Sequence, residues 1–473
     1  MSNTCQVTKE WLDSEEYKEK NFAREALVIN PAKACQPLGA LLCALGFEGC
    51  LPFVHGSQGC AAYFRNNMSR HYREPISAVS DSMTEDAAVF GGQGNLIDGV
   101  KNAYNLYHPK MMAIFTTCMA EVIGDDIKAY VDNAKHQEAI PQDFPVALAH
   151  TPSFKGSHIV GYDNMLKGFL ETQGKARDEQ NLNDRVYIVP GYDPYPSNLR
   201  EYKRLINALG VKATVLADYS EVVDSPNTGK FEMYPGGTPL TELNEALNAQ
   251  SYLFLQSYST TATWKFIKNK NRIPTEKIPM PVGIKNTDDF ISALSKISGQ
   301  PVPDEIVKER GRTVDAITDA HPYVHGKRIS MFGDPDVLIG LVSFLLELGA
   351  VPVHIVCTNG SAAFEKEMEA LLASSPFGQE AKIYVGKDLW HLRSLLVTEP
   401  VDMLIGDSHG KYAAQDAGIP LVRVGFPITD RVNLHRYPIV GYQGALNLLT
   451  MIANTFIDEK DRTCDAAHFE LLR

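Results

Sequence analysis

No run of roughly 18 apolar residues occurs in the chain, so nothing in it reads as a transmembrane helix, and no membrane association is expected. The eight cysteines contain no CxxC pair, whereas a structural zinc site usually shows closely spaced Cys or His pairs. Positive charge is in deficit: 45 Lys and Arg stand against 57 Asp and Glu, a formal net charge of −12. A phosphate backbone recruits lysine and arginine, so wholesale nucleic-acid binding is excluded and a partner with basic patches fits better. Low-complexity tracts and visible internal repeats are also missing, and nothing points to disorder. The stretch MSNTCQVTKEWLDSEEYKEKNFAREAL at the start is charged and amphipathic, with no apolar signal core, and a cytoplasmic location is expected. In that compartment cysteines stay as thiols or bind metal rather than pair as disulfides.

What is present is a composition of the soluble globular kind, 44% hydrophobic, 22% charged and 9% aromatic over 473 residues, long enough for several cores. Short apolar runs alternate with helical patterns, which predicts parallel sheets joined by crossover helices. KMMAIFTTC (110–118) and FPVALAHTP (144–152) read as strands, with one helix expected between them. RVYIVPGY (185–192), VKATVLADY (211–219) and SYLFLQ (251–256) form a second series, interrupted by a long surface loop. KRISMFGDPD, VPVHIVCTN, AKIYVGKD, DMLIGDSHG and PLVRVGFP supply five strands of a third. The expectation is three doubly wound, Rossmann-like α/β domains at 20–182, 183–300 and 325–445. An N-terminal arm (1–19), a helical connector (301–324) and a C-terminal segment (446–473) complete the chain.

In such sheets ligands gather at the carboxyl ends of the strands, where TTC and HTPS sit. Two stretches imitate nucleotide loops. GDSHGK (406–411) has three residues between its glycines instead of four, and Tyr412 where a magnesium-binding Ser or Thr belongs. GQGNLI (92–97) lacks a third glycine, so each reads as a tight turn opening a helix. No Ser/His/Asp or Cys/His nucleophilic arrangement can be assigned from spacing, no G-x-S-x-G nucleophile elbow is expected, and no catalytic side chain is nominated. Cys43 and Cys50, in LLCALGFEGC, read as small buried residues. His55, His150 and His158 fall near the candidate site in supporting roles. Cys35, Cys60 and Cys118 are each flanked by Gly, Pro or small residues, which lets backbone approach a bulky inorganic ligand; taken alone, they leave buried thiols as the default reading.

The words around them are more specific. NPAKACQPLGALLCALGFEGCLPFVHGSQGCAAYFR, EPISAVSDSMTEDAAVFGGQGNL, TTCMAEVIGDD and HTPSFKGSH together resemble the β subunits of the molybdenum-iron proteins of nitrogenase, component 1 of that system. The similarity resumes in KERGRTVDAITDAH, HGKRISMFGDPD, LLELGAVPVHIVC, GKDLWHLRSL and VRVGFPITDR, and so spans nearly the whole chain. The resemblance implies the component 1 type of α/β fold. It also implies an [8Fe-7S] P-cluster shared with an α subunit, with Cys35, Cys60, Cys118 and Ser153 as this chain's ligands. Thiolates suit iron-sulfur iron, and a serine oxygen suits a conditional ligand of the oxidised centre. The implied reaction is ATP-dependent reduction of dinitrogen by an α2β2 heterotetramer. ATP belongs to a separate iron protein and the iron-molybdenum cofactor to the α subunit, leaving electron relay to this chain.

Two further implications concern surfaces. VFGG nominates Val89 and Phe90 as contacts for the iron protein, although Phe90 could equally be core. A cation site at the contact between two β subunits maps onto the backbone of Arg73, the carboxylate of Glu74, and Asp315 and Asp319. Its oxygen-rich ligation suits calcium or ferrous iron, while a solvated helix face is the plain reading of the two aspartates. Several members of the family carry a longer N-terminal extension, so smaller intersubunit contacts are expected. The competing readings are a β subunit of a vanadium or iron-only nitrogenase, a cofactor-assembly scaffold, and a dark-operative protochlorophyllide reductase.

Overall fold

Continuous apolar runs become central strands here because helices cover both faces of each sheet. In the first sheet β1 (Cys50–His55), β2 (Val79–Ser80), β3 (Met111–Thr116) and β4 (Val146–Ala149) pair in the order β2-β1-β3-β4, all parallel, and every residue of β1 and β3 is buried. The second sheet contains β5 (Val186–Val189), β6 (Ala213–Val215), β7 (Ser251–Phe254) and β8 (Thr275–Lys277), ordered β6-β5-β7-β8. The third has β9 (Arg328–Phe332), β10 (Val351–Cys357), β11 (Lys382–Val385), β12 (Met403–Gly406) and β13 (Leu421–Arg423), ordered β11-β10-β9-β12-β13. The computed structural model describes residues 8–27, 30, 32–230 and 232–464; Cys5 and the outer ends of the N-terminal arm and C-terminal segment lie outside them.

The α/β expectation therefore holds, with three doubly wound parallel sheets. Each sheet reverses its winding once, between β1 and β3, between β5 and β7, and between β9 and β12. At those points the loops leave the strands in opposite directions and open a crevice. One apolar cluster runs through all three sheets, joining Leu38, Phe169, Tyr187, Leu294, Ile329 and Leu448.

Two local features differ from the sequence reading. The helix expected between β3 and β4 is two helices, Cys118–Ile123 and Ile127–His136, because Gly124 takes a left-handed φ of +79° and Asp126 caps the second. Strand β1, absent from the expected set, contains Pro52, which cannot donate to a ladder. Val54 accepts from the Asp81 N–H and His55 from the Thr117 N–H, so alternate residues face opposite neighbours. Pro52 faces the β2 side, beyond the end of that two-residue strand, and no ladder bond is lost.

The helix Gln36–Leu45 is buried on every side, as a helix that is apolar beyond its first residue must be. It crosses the helix His158–Gln173 at bare backbone: a Cβ on Gly39 would lie 1.8 Å from the His158 carbonyl oxygen, and one on Gly161 1.9 Å from that of Gln36. This close crossing fixes where Cys35 stands relative to the loop after β4.

Candidate metal centre

Four loops meet at the crevice of the first sheet. Cys35 is the residue just before the helix Gln36–Leu45, and Cys60 sits in the first turn of Gln58–Tyr72, which follows β1. Cys118 opens the short helix after β3, and Ser153 lies between β4 and His158–Gln173. The Ser153 hydroxyl stands beside the Cys35 thiol, and Cys118 lies close enough to both Cys35 and Cys60 to act on them electrostatically. The structure thus brings together all four residues singled out from the sequence. Cys43 and Cys50 are buried away from solvent, as expected of small core residues.

Burial pushes the Cys35 thiol up, against a lowering by Ser153; burial likewise pushes Cys60 up, with Cys118 adding to it and Ser57 opposing. The thiols are therefore better at holding protons than free cysteine, and a metal must displace those protons to bind. Among the described residues no three His, Cys, Asp or Glu side chains converge tightly enough for one metal ion.

The loops are braced by neutral hydrogen bonds. Gln36 Nε2 donates to the Pro152 carbonyl at 2.9 Å and also to that of Lys155, stapling the Ser153 loop to the residue after Cys35. Asn164 orients Gln36 through a 3.1 Å bond to its Oε1. The ends of β3 and β4 are joined by Thr151, whose N–H donates to Thr116 Oγ1 at 2.8 Å and whose hydroxyl donates to the Thr116 carbonyl at 2.5 Å. Gly56, at φ +141°, lets the loop after β1 press on the one after β3; a Cβ there would meet Thr117 Oγ1 at 1.9 Å. Gln36, Thr116, Thr151 and Gly56 were not nominated from the sequence. Their only signal there is adjacency to the thiols and the serine.

The three histidines take supporting positions. His158 accepts the Ala34 N–H on Nδ1 at 3.1 Å and faces Asp334 through Nε2 at 2.9 Å, so its proton is on Nε2. Burial would raise the Asp334 carboxyl, but His158 and Asn359 hold it below its ordinary value. His150 bonds Glu121 at 2.8 Å, and His55 is clamped between Asp81 and Asp125.

All four candidate donors are half-buried. Apolar side chains stand exposed nearby on the same loops: Tyr63 at 50%, Phe154 at 62% and Val122 at 74%. A patch of this kind is expected where another polypeptide packs. Val89 and Phe90, 75% and 87% exposed at the end of the helix Glu85–Phe90, are surface residues, which removes the core reading of Phe90. Arg73 caps its helix at a left-handed φ of +63°, while Asp315 and Asp319 are exposed one turn apart on Asp304–Val324. No hydrogen bond or ion pair among the described residues joins Arg73 or Glu74 to these aspartates; Glu74 instead faces Arg436 at 3.8 Å.

Both loop mimics are turns opening helices. Gly92 gives its N–H to the Asp125 carboxylate. Contrary to the expectation that no nucleophile elbow is present, the segment 406–410 does spell G-x-S-x-G, but Ser408 donates to Asp430 at 2.6 Å rather than to a histidine. Asp430 in turn pairs with Arg423 at 2.7 Å, so the serine has no histidine base.

The model of the family described as nitrogenase component 1 type oxidoreductase matches residues 35–457. A nitrogenase molybdenum-iron protein beta chain of Nostoc sp. is 55% identical over 98% of this chain and 91% of its own length. The protein of the same name from Azotobacter vinelandii is 50% identical, covering 96% of this chain and 88% of its own. A solved structure of nitrogenase Cp1 at pH 6.5 superposes with a TM-score of 0.91 at 40% identity, over 95% of this chain and 98% of that one. Another, nitrogenase Cp1 at pH 5, shares the fold at 17% identity and a TM-score of 0.67, over 93% of this chain and 91% of that one.

Proposed function

The chain belongs to the nitrogenase component 1 type oxidoreductases, and from that premise we propose that Cys35, Cys60, Cys118 and Ser153 are its share of the ligands of an [8Fe-7S] P-cluster. The reaction is the reduction of dinitrogen, carried out by the assembled complex with this chain as its β-type subunit. The relatives' names favour molybdenum over vanadium or iron-only systems, and an oxidoreductase over an assembly scaffold or a protochlorophyllide reductase.

The observation that carries the reading is the convergence of three thiols and one hydroxyl from four loops at one crevice, with Ser153 beside Cys35. A polynuclear cluster needs ligands spaced so that each meets its own iron, which suits donors that gather without forming a mononuclear site. Three thiolates and a serine oxygen cannot close eight irons, and their half-exposure leaves the open side to the α subunit. When bound, such a centre stores electrons from an ATP-hydrolysing iron protein and passes them toward an iron-molybdenum cofactor in the α subunit. The chain's own residues hold thiol protons until ligation releases them, and Ser153 Oγ keeps its proton until it is called on as a ligand. Gln36, Thr116 and Thr151 keep the donors in register.

The partner set follows: an α subunit in an α2β2 tetramer, and an iron protein contacting Val89 and Phe90. The Arg73 backbone, Glu74, Asp315 and Asp319 would hold a calcium or iron ion between two β subunits; the separation of the two pairs within one chain is what a site split between copies requires. No helix among the described residues is long and apolar enough to cross a membrane, and a reducing cytoplasm would keep the thiols ready for metal. The test is co-expression with an α partner. Iron, sulfide and molybdenum in the purified tetramer, with P-cluster signals on oxidation, are expected; a stable tetramer without cluster iron would overturn the reading.

A further inference from the structure

A buried ionic cluster beside the thiol crevice has a geometry of its own. His55, at the end of β1, is 0% exposed, and carboxylates face both ring nitrogens: Asp81 at Nδ1, and Asp125 at 2.9 Å from Nε2. A neutral imidazole would turn a lone pair toward one of them, so the ring carries both protons. Burial opposes that charge, and the two carboxylates outweigh it, holding the His55 pKa above its usual value.

The outer oxygens of this cluster reach three separate segments. Asp81 Oδ1 accepts the Gly56 N–H at 2.9 Å, in the loop that leads to Cys60. Asp125 Oδ1, just beyond the Cys118 helix, accepts the Gly92 N–H at 3.3 Å and the Tyr130 hydroxyl at 2.9 Å. Gly92 follows Phe90 and Gly91, and it fits only without a side chain: a Cβ would lie 2.7 Å from His55 Cε1 and 2.8 Å from Asp125 Oδ2. An apolar contact runs in parallel, because Met83 and Ala87 of the exposed helix's segment pack on Ala120 of the Cys118 helix.

We propose that His55 is a positioning residue for electron delivery: bridging Asp81 and Asp125, it holds the helix Glu85–Phe90 in fixed register with the segments carrying Cys60 and Cys118. Pressure from a partner on Val89 and Phe90 is thereby felt where the thiols are held. The inference rests on the reading of the thiols as cluster ligands and of Val89 and Phe90 as the docking contact. It assigns His55 no contact with either the cluster or the partner.

The test uses the complete α2β2 protein and the ATP-loaded iron protein at saturation, with the first electron transfer followed by stopped flow. His55→Gln, which cannot donate to both carboxylates, should retain full iron content yet transfer the electron between about twofold and thirtyfold more slowly, the range expected when a coupling network is cut. A residue serving only stability would lower the melting temperature and leave the saturated rate of the fully loaded tetramer unchanged; that result overturns the proposal. If His55→Gln does not assemble, Tyr130→Phe decides. It removes only the hydroxyl on Asp125 and should slow transfer about twofold, whereas a wild-type rate would sink the proposal. Wild-type tetramer without P-cluster signals would instead sink the functional reading beneath it.

Discussion

The first and third sheets reverse their winding in the same way, yet the crevices at the two reversals are filled oppositely. Beyond β9 and β12 the crevice is closed by its own polar groups. Asp334 is held by His158 and Asn359, and Asp407 accepts the His409 N–H at 2.7 Å. Nearby, Asp336 accepts three N–H groups from Ser257, Tyr258 and Ser259 at 2.6, 3.1 and 3.3 Å, tying the third sheet to the second. Beyond β1 and β3 the thiols of Cys60 and Cys118 are half-buried, as are Cys35 and Ser153. Topology says where a crevice forms. Whether its donors are already satisfied from within the chain says whether it serves cohesion or a ligand.

That contrast is broken most forcefully by removing the thiols. Cys60→Ala or Cys118→Ala should cost the tetramer most of its P-cluster iron and weaken the contact with the α subunit, since shared ligand bonds also hold the subunits together. Cys43→Ala, in the core of the helix Gln36–Leu45, should keep its iron and lose about 1 kcal/mol of stability. Iron analysis with thermal unfolding separates the two classes, and equal iron loss in all three variants would erase the distinction between ligand and core cysteine.

A smaller effect is expected from the helix crossing that sets Cys35. Gly161→Ala would put a methyl group 1.9 Å from the Gln36 carbonyl oxygen, and both neighbours there are backbone. Relief requires the helices to part, at a cost of about 1–3 kcal/mol, and shifts Cys35 away from the Ser153 loop. Lower thermal stability together with reduced iron is the expected pair of results. Lower stability with full iron would mean that Gln36 alone keeps the loop in place.

These residues also mark how far the sequence could be read. The five strands of the third sheet are apolar runs bounded by Gly, Asp or Pro, and all five are found. β1 escapes because Pro52 reads as a strand breaker, β2 because two residues carry no periodicity, and β8 because Thr275–Lys277 is a short polar strand at the sheet's edge. Residue pattern alone does not separate Cys35, Cys60 and Cys118 from Cys43 and Cys50; the family resemblance does, and burial then agrees. The His55 cluster is illegible in one dimension, since its carboxylates lie 26 and 70 residues away.

The closed crevice can be probed by pH. Burial raises the Asp336 carboxyl from 3.8 to about 7, against three backbone N–H groups that pull it down. The folded protein therefore holds this proton more tightly than the unfolded chain. The resulting stability is fully present below pH 3.8 and is lost as pH rises through about 7. Asp336→Asn stays neutral and lacks that slope. Its stability relative to wild type should be better at about pH 7.5 than at about pH 5, as read by denaturant unfolding at the two values. A constant difference would show that Asp336 is charged at both.

The mildest change is to the open crevice, at the donor that is least a thiol. Ser153→Ala leaves all three cysteines and the Gln36 bonds to the Pro152 and Lys155 carbonyls, which come from backbone and do not use the serine hydroxyl. The variant should assemble with full iron and retain substantial dinitrogen reduction. What it loses is the hydroxyl beside Cys35. A serine oxygen binds iron well only as alkoxide, and the greater positive charge of an oxidised centre favours that deprotonation. Oxidation would then release a proton in the wild type and none at this position in the variant. Redox titration at several pH values should show a pH-dependent midpoint in the wild type that changes in Ser153→Ala. An unchanged midpoint and slope would mean that Ser153 shapes its loop and nothing more, leaving the three thiols as the chain's whole contribution to the centre.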